Sequence, residues 1–164
     1  MLITRIELSD AADFLKMQLQ LDKETKYMMY ESGERLNQVQ PVKEMIQHFH
    51  SSGSLLALAR TRKEIAGFIG AKRGNCNRTI HSAHVVIGVL SKYQGQGTGK
   101  RLMLHLNEWA MSNKITRLEL TVMAHNERAI ALYTYSGFKQ EGIKKNSMLV
   151  DGKYVDEFYM AKLF

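Results

Sequence analysis

The sequence predicts one α/β domain of the α+β kind over residues 1–164, with a mixed central sheet of about seven strands flanked by helices. Three observations carry this expectation. The hydrophobic period switches between two and 3.6 residues in the order β-α-α-β-β-β-α-β-α-β-β. No repeat, low-complexity tract or Pro/Gly-rich linker divides the chain, whose only proline is Pro41. A length of 164 residues suits one core, since single cores run to roughly 100–200 residues.

The elements follow in order. Residues 1–8 alternate apolar and polar side chains, as a first strand does. Ser9-Asp10 is suited to cap a helix to about Leu21, with Phe14, Met17 and Leu21 on one face. Residues 22–40 are polar and poorly periodic, which predicts a loop with at most a helical turn. Pro41 suits a first helical turn, and Met45, Ile46 and Phe49 give a second helix its apolar stripe up to Ser52-Gly53. Residues 54–60 and 64–72 read as strands around a short polar turn. Gly74-Asn75-Cys76-Asn77 is turn chemistry, and residues 79–90 read as a longer strand. A helix is expected from Gly97 to about Asn113, with Leu102, Leu106 and Trp109 spaced by four and three. Residues 117–122 form a strand and 127–136 a helix that Gly137 stops. Residues 138–149 and 154–162 make a final hairpin turning at Asp151-Gly152. Antiparallel strands come first, and one crossover helix then makes a local parallel pair.

Composition excludes several classes. No apolar run approaches the ~20 residues a membrane span needs, and the first residues lack a signal-peptide pattern, so no membrane partner is expected. The single cysteine, Cys76, has no internal disulfide partner, which agrees with a reducing, cytoplasmic location. The net charge of +7 is concentrated after residue 40 and fits either a nucleic acid or a smaller polyanion such as a nucleotide cofactor. No block of five like charges and no aromatic-rich RNA-binding signature occurs, and no nucleic-acid partner is expected.

The most informative stretch is Val85-Val86-Ile87-Gly88-Val89-Leu90-Ser91-Lys92-Tyr93-Gln94-Gly95-Gln96-Gly97-Thr98-Gly99-Lys100. An apolar strand enters a turn with three alternating glycines, and an amphipathic helix follows at once. Glycines let successive backbone N–H groups converge on an anion, and the helix N-terminus adds the positive end of its dipole. A tight strand-to-helix connection would use the same residues. The spacing is neither that of a P-loop nor that of a dinucleotide fingerprint.

Gln94-Gly95-Gln96-Gly97-Thr98-Gly99 resembles the acetyl-CoA motif, Gln/Arg-x-x-Gly-x-Gly/Ala, of the GCN5-related N-acetyltransferase (GNAT) superfamily. The resemblance extends through Leu118-Glu119-Leu120-Thr121-Val122 and the run from Asn126-Glu127-Arg128 to Tyr133-Thr134-Tyr135-Ser136-Gly137-Phe138. It closes on Asp151-Gly152-Lys153-Tyr154-Val155-Asp156-Glu157-Phe158-Tyr159-Met160, an ending similar to the small-molecule and ribosomal-protein branches. Residues 79–162 carry most of it, and residues 1–60 little.

The resemblance implies a GNAT fold with a splayed parallel pair, acetyl-CoA as co-substrate, no metal, and transfer of an acetyl group to a primary amine on a small molecule or a protein. It implies that backbone groups of Ile87, Gly88 and Val89 pair with the pantetheine arm, and that the N–H of Val89 or Leu90 polarises the thioester carbonyl. Gln94, Gly95, Gln96, Gly97, Thr98, Gly99 and Lys100 would surround the pyrophosphate. Tyr133 corresponds to the family's general acid for the leaving thiolate; a packed helix aromatic is the other reading. Asn126 would touch the pantetheine or cap the helix that follows it. No base is assigned: His81, His84 and Glu119 are candidates. Asp22, Glu24, Glu31 and Glu34 lie where the family often borders its acceptor pocket, although a solvated surface looks the same.

Other chemistries fit less well. Cys76 sits in a Gly-Asn turn without an electropositive pocket, which disfavours a thiol nucleophile. No Gly-x-Ser-x-Gly elbow exists for a serine hydrolase. His81 and His84 fall on opposite sides of a strand, and His48 and His50 diverge on a helix, so no metal is implied. A non-catalytic module that senses acyl-CoA is the alternative from another class. Homodimers occur in the superfamily, with the C-terminal strands as one possible interface.

Overall fold

The computed structural model describes all residues from Met1 to Phe164. In chain order it contains β1 (Leu2–Arg5), α1 (Ala11–Glu24), α2 (Val39–Ser51), β2 (Leu55–Arg60), β3 (Ile65–Arg73) and β4 (Ser82–Val89). Then follow α3 (Thr98–Ser112), β5 (Arg117–Met123), α4 (Glu127–Tyr135), β6 (Lys139–Val150) and β7 (Lys153–Leu163). The seven strands form one sheet in the order β1-β2-β3-β4-β5-β7-β6. All neighbours are antiparallel except β4 and β5, which the α3 crossover makes parallel.

Two helix layers cover the sheet, and strand alternation divides the apolar residues between them. On one face α3 buries Leu102, Met103, Leu106 and Ala110 against Leu55, Ala57, Ala59, Ile69, Ala71, Val85, Leu118 and Leu120. On the other, Phe14, Met17 and Leu21 of α1 and Ile46 of α2 pack on Leu56, Leu58 and Phe68. Strand β2 is buried along nearly its whole length because its alternate side chains enter different cores. No helix is long and apolar enough to cross a membrane.

Local differences from the expected elements have physical causes. A 3-10 turn at Leu8–Asp10 precedes α1, and Asp10 accepts from the Glu7 N–H at 2.8 Å, so the cap acts one turn earlier than Ser9-Asp10 suggested. Helix α1 continues to Glu24 because Leu21 still reaches the core. Residues 79–81 form a turn: the N–H groups of Thr79 and Ile80 both donate to the Cys76 carbonyl, and the strand begins only at Ser82. Gly97 holds φ +80° at the N-terminus of α3, a conformation that L side chains rarely adopt.

The feature that positions the site is an interruption in the sheet. Strands β4 and β5 pair only through Ser82, Ala83 and His84, opposite Arg117, Leu118 and Glu119. Beyond them β4 continues along β3 to Val89, while β5 continues along β7 to Met123. A gap therefore opens between Val85–Val89 and the second half of β5.

Candidate acyl-transfer cleft

A cleft of about 1040 Å³ runs through this gap and joins the two faces of the sheet. Its walls are β4 from His84 to Val89, the glycine turn with the start of α3, the length of α4, and the segment after α1. Of the residues singled out by the sequence, Ile87, Gly88, Val89, Gln94, Gly95, Gly97, Thr98, Gly99, Lys100, Asn126 and Tyr133 line it, and Gln96 does not. The Gln96 side chain instead donates to the Lys92 carbonyl at 2.7 Å, closing the turn from outside.

The β3–β4 register decides which backbone groups face the gap. Leu90 donates its N–H to the Ala66 carbonyl at 2.9 Å, and Val89 stands opposite Gly67. In an antiparallel ladder this directs the backbone of Val86, Gly88 and Leu90 to β3 and that of Val85, Ile87 and Val89 into the gap. The N–H of Leu90 is thus occupied, and the N–H of Val89 is the one of the pair that faces the cleft. The Val89 carbonyl accepts from the Gln94 side-chain amide at 2.8 Å, and Gln94 in turn accepts from Arg128 at 2.9 Å. Gln94 therefore ties the free edge of β4 to α4. Gly88 is required for packing: a Cβ there would meet Leu21 Cδ2 at 2.5 Å and Phe68 Cε1 at 2.7 Å.

The glycine turn presents an anion-binding geometry. Gly95 and Gly97 have φ of +74° and +80°, and Arg101 makes the first α-helical hydrogen bond, to the Gly97 carbonyl. The N–H groups of Thr98, Gly99 and Lys100 are left without helical partners at the dipole's positive end. The Thr98 hydroxyl is turned inward, donating to the Tyr93 carbonyl at 2.9 Å. Two cationic side chains line this end, Lys100 and Arg128. Lys100 lies 4.0 Å from the Tyr135 ring centroid, and Arg128 is close enough to Gly95 that a Cβ there would sit 3.2 Å from its guanidinium. Arg128 carries the charge that sequence reading left unassigned; its place in the first turn of a helix following Asn126 was the available signal.

Asn126 caps α4, its side chain accepting from the Ala129 N–H at 3.2 Å. From that helix Tyr133 lines the cleft, 7% exposed, with its ring 5.9 Å from that of Phe138. Burial pushes its phenol well above the ordinary tyrosine range, so the proton stays on the hydroxyl.

The opposite end is shaped by the segment after α1. Lys26 forms an ion pair with Asp151 in the β6–β7 turn, and the Tyr27 ring lies 5.3 Å from His125. These contacts hold Tyr27, Met28 and Met29 across the cleft from β5 and β7. Among the acids expected near an acceptor, Asp22 is buried in a two-bond pair with Arg35 at 2.6 and 3.0 Å. Glu31 and Glu34 lie outside the cleft, where Glu34 accepts from the Glu31 N–H at 2.7 Å. Glu24 does line it and accepts from the Ser91 N–H at 2.8 Å. Burial would raise its carboxyl, but hydrogen bonds from Ser91 and Gln20 with the charge of Lys92 outweigh this and hold it below the usual range.

Of the candidate bases, His84 lines the cleft, His81 belongs to the preceding turn, and Glu119, opposite His84 in the β4–β5 ladder, is paired with Arg117 at 2.8 Å and does not line the cleft. A further carboxylate, Glu157, lines the cleft from β7 and is 8% exposed. Leu118, Leu120 and Val122 enter the core under α3, so Thr121 and Met123, with Tyr159 and Glu157 opposite them, point to the other face. Glu157 lies within the closing resemblance run, but only strand register shows that it turns inward.

A family model described as the acetyltransferase (GNAT) family matches residues 18–138. The chain is 37% identical over 87 residues to the L-amino acid N-acetyltransferase AaaT of Escherichia coli (strain K12), covering 52% of this chain and 54% of that protein. It is 29% identical over 124 residues to the ribosomal protein uS5-alanine N-acetyltransferase of the same organism, covering 71% and 62%. The chain thus spans about half to three-fifths of the length of these curated relatives. A solved acetyltransferase of the GNAT family from Streptococcus pneumoniae superposes with a TM-score of 0.95 at 28% identity, covering 99% of each chain.

Proposed function

The chain belongs to the GNAT family of acetyltransferases, and from that premise we propose that it moves an acetyl group from acetyl-CoA to a primary amine by direct attack in a ternary complex. The observation that carries this reading is the parting of β4 and β5 beside a glycine turn that opens α3. It offers an unpaired backbone edge for an extended amide-bearing arm, with an anion site at one end of it.

Each residue then has a task. The N–H groups of Thr98, Gly99 and Lys100, with the charges of Lys100 and Arg128, hold the pyrophosphate. The Ile87 N–H and C=O pair with the pantetheine amides. The Val89 N–H lies where it can donate to the thioester carbonyl and stabilise the oxyanion that forms on attack. The amine nitrogen bonds to the carbonyl carbon, the C–S bond breaks with its electron pair leaving on sulfur, and the proton lost by the nitrogen passes through solvent to the thiolate, leaving an amide and free thiol. Tyr133 faces that sulfur as a donor. A thiol has a pKa of about 8.5, below that of the buried phenol, so Tyr133 shares its proton with the developing thiolate rather than surrendering it outright.

The test is free thiol release from acetyl-CoA in the presence of a panel of primary amines. Release that depends on one amine supports transfer. Tight acetyl-CoA binding with no amine-dependent release from any member would overturn it in favour of an acyl-CoA sensor.

A further inference from the structure

Glu157 is not used by the transfer chemistry above, yet its surroundings are unusual. It is 8% exposed, its carboxylate accepts no hydrogen bond from the protein, and Lys144 on the neighbouring strand stands 3.7 Å away with 46% of its own side chain in solvent. The carboxylate oxygens are not sealed off, since Ser147 Oγ is the sole side-chain polar atom that is both enclosed and unpartnered. The opening is into the cleft. A carboxylate nine-tenths removed from water, whose one ion-pair partner is itself half in solvent, is only partly compensated.

Four methionines also line the cleft, Met28, Met29, Met123 and Met148, and Met123 stands opposite Glu157 in the β5–β7 ladder. Their unbranched thioethers adapt to an apolar body of variable shape. Both cationic side chains of the cleft, Lys100 and Arg128, are at the glycine turn, and Lys26 is already paired with Asp151. The remaining acidic side chains that line the cleft are Glu24, Glu127 and Glu157.

Resting on the acetyl-transfer reading for the identity of the reacting group, we infer that the acceptor is a primary amine on an apolar carrier without a free carboxylate next to it, and that Glu157 receives its ammonium. A free amino acid would bring its own carboxylate beside that of Glu157. The same amine with its carboxyl masked as an amide brings only the cation and the apolar side chain.

Leucinamide and leucine, titrated calorimetrically into the protein loaded with coenzyme A, test this. Leucinamide is expected to bind at least about 10-fold more tightly than leucine, in keeping with the value of a close charge pair. Glu157→Gln should weaken leucinamide about 10- to 100-fold while leaving coenzyme A affinity unchanged, and Glu157→Asp should restore most of the loss. Equal or tighter binding of leucine, or a Glu157→Gln variant that binds leucinamide as the parent does, overturns the inference. If Glu157→Gln fails to fold, as lost coenzyme A binding would reveal, the leucinamide-to-leucine ratio on the parent protein decides alone. Adding acetyl-CoA separates the two readings. Selective leucinamide binding without thiol release supports this acceptor site and overturns acetyl transfer, whereas thiol release that prefers leucine overturns the site and supports transfer.

Discussion

Replacing Tyr133 by Phe separates its catalytic part from its structural one. The ring is 7% exposed and packs 5.9 Å from Phe138, and both features survive the substitution. The hydroxyl finds no hydrogen-bond partner in the protein, and burial alone raises its pKa. Removing it therefore strands no buried group, and the stability of the free protein should change by no more than about 0.5 kcal/mol. In the proposed transition state the hydroxyl meets a sulfur that is acquiring negative charge. A hydrogen bond to a charged group is worth roughly 1.5–3 kcal/mol, which corresponds to a fall in kcat of about 10- to 150-fold. Acetyl-CoA affinity should hold, because the interaction is made with the leaving thiolate and not with the ground-state thioester. Steady-state thiol release, direct titration with acetyl-CoA and a thermal melt measure the three quantities. An unchanged kcat would remove Tyr133 from the mechanism. A melting temperature lowered by several degrees would mean that the hydroxyl has a structural partner after all.

Two further substitutions probe the cleft's frame. Gly88→Ala places a methyl 2.5 Å from Leu21 Cδ2 and 2.7 Å from Phe68 Cε1, so overpacking should cost about 1–3 kcal/mol in urea denaturation; a change below about 0.5 kcal/mol would refute the close-packing role. Arg128→Ala removes an exposed guanidinium beside the glycine turn, and coenzyme A should bind about 10-fold more weakly with a shallower salt dependence, while an unchanged dissociation constant would take Arg128 out of the pyrophosphate site.

Much of the fold was legible because its signals are local. The switch of period at residue 54, the Asp151-Gly152 turn and the glycine before α3 each depend on a few adjacent side chains. The turn at residues 79–81 was not legible, since its apolar Ile80 reads as strand while a shared Cys76 carbonyl bends the backbone. In the site, the cofactor end follows from one contiguous motif. The direction of each backbone group does not: that Gly88 turns to β3 while Ile87 and Val89 face the gap depends on the pairing of β3 with β4, which sets Phe68 opposite Gly88. The end of the cleft proposed for the acceptor depends on still longer range. Glu24 with Met28, Met123, Met148 and Glu157 come from four separate stretches, and nothing adjacent to Glu31 or Glu34 distinguishes them from Glu24. Only the packed C-terminus of α1, with its bond to Ser91, selects that carboxylate.

The three residue pairs that join β4 to β5 also bear on how this protein trades rigidity for use. The sheet is mechanically two pieces, β1 to β4 and β5 with the C-terminal hairpin, sharing a short zipper and the helices that straddle it. Extending that zipper past His84 would add ladder bonds at Val85, Ile87 and Val89 and make the empty protein more robust. It would do so by consuming the edge proposed to pair with the pantetheine arm. Selection for thermal robustness and selection for turnover therefore pull on the same few amides in opposite directions, and hardening of this scaffold has to come from elsewhere, in the two cores and the caps.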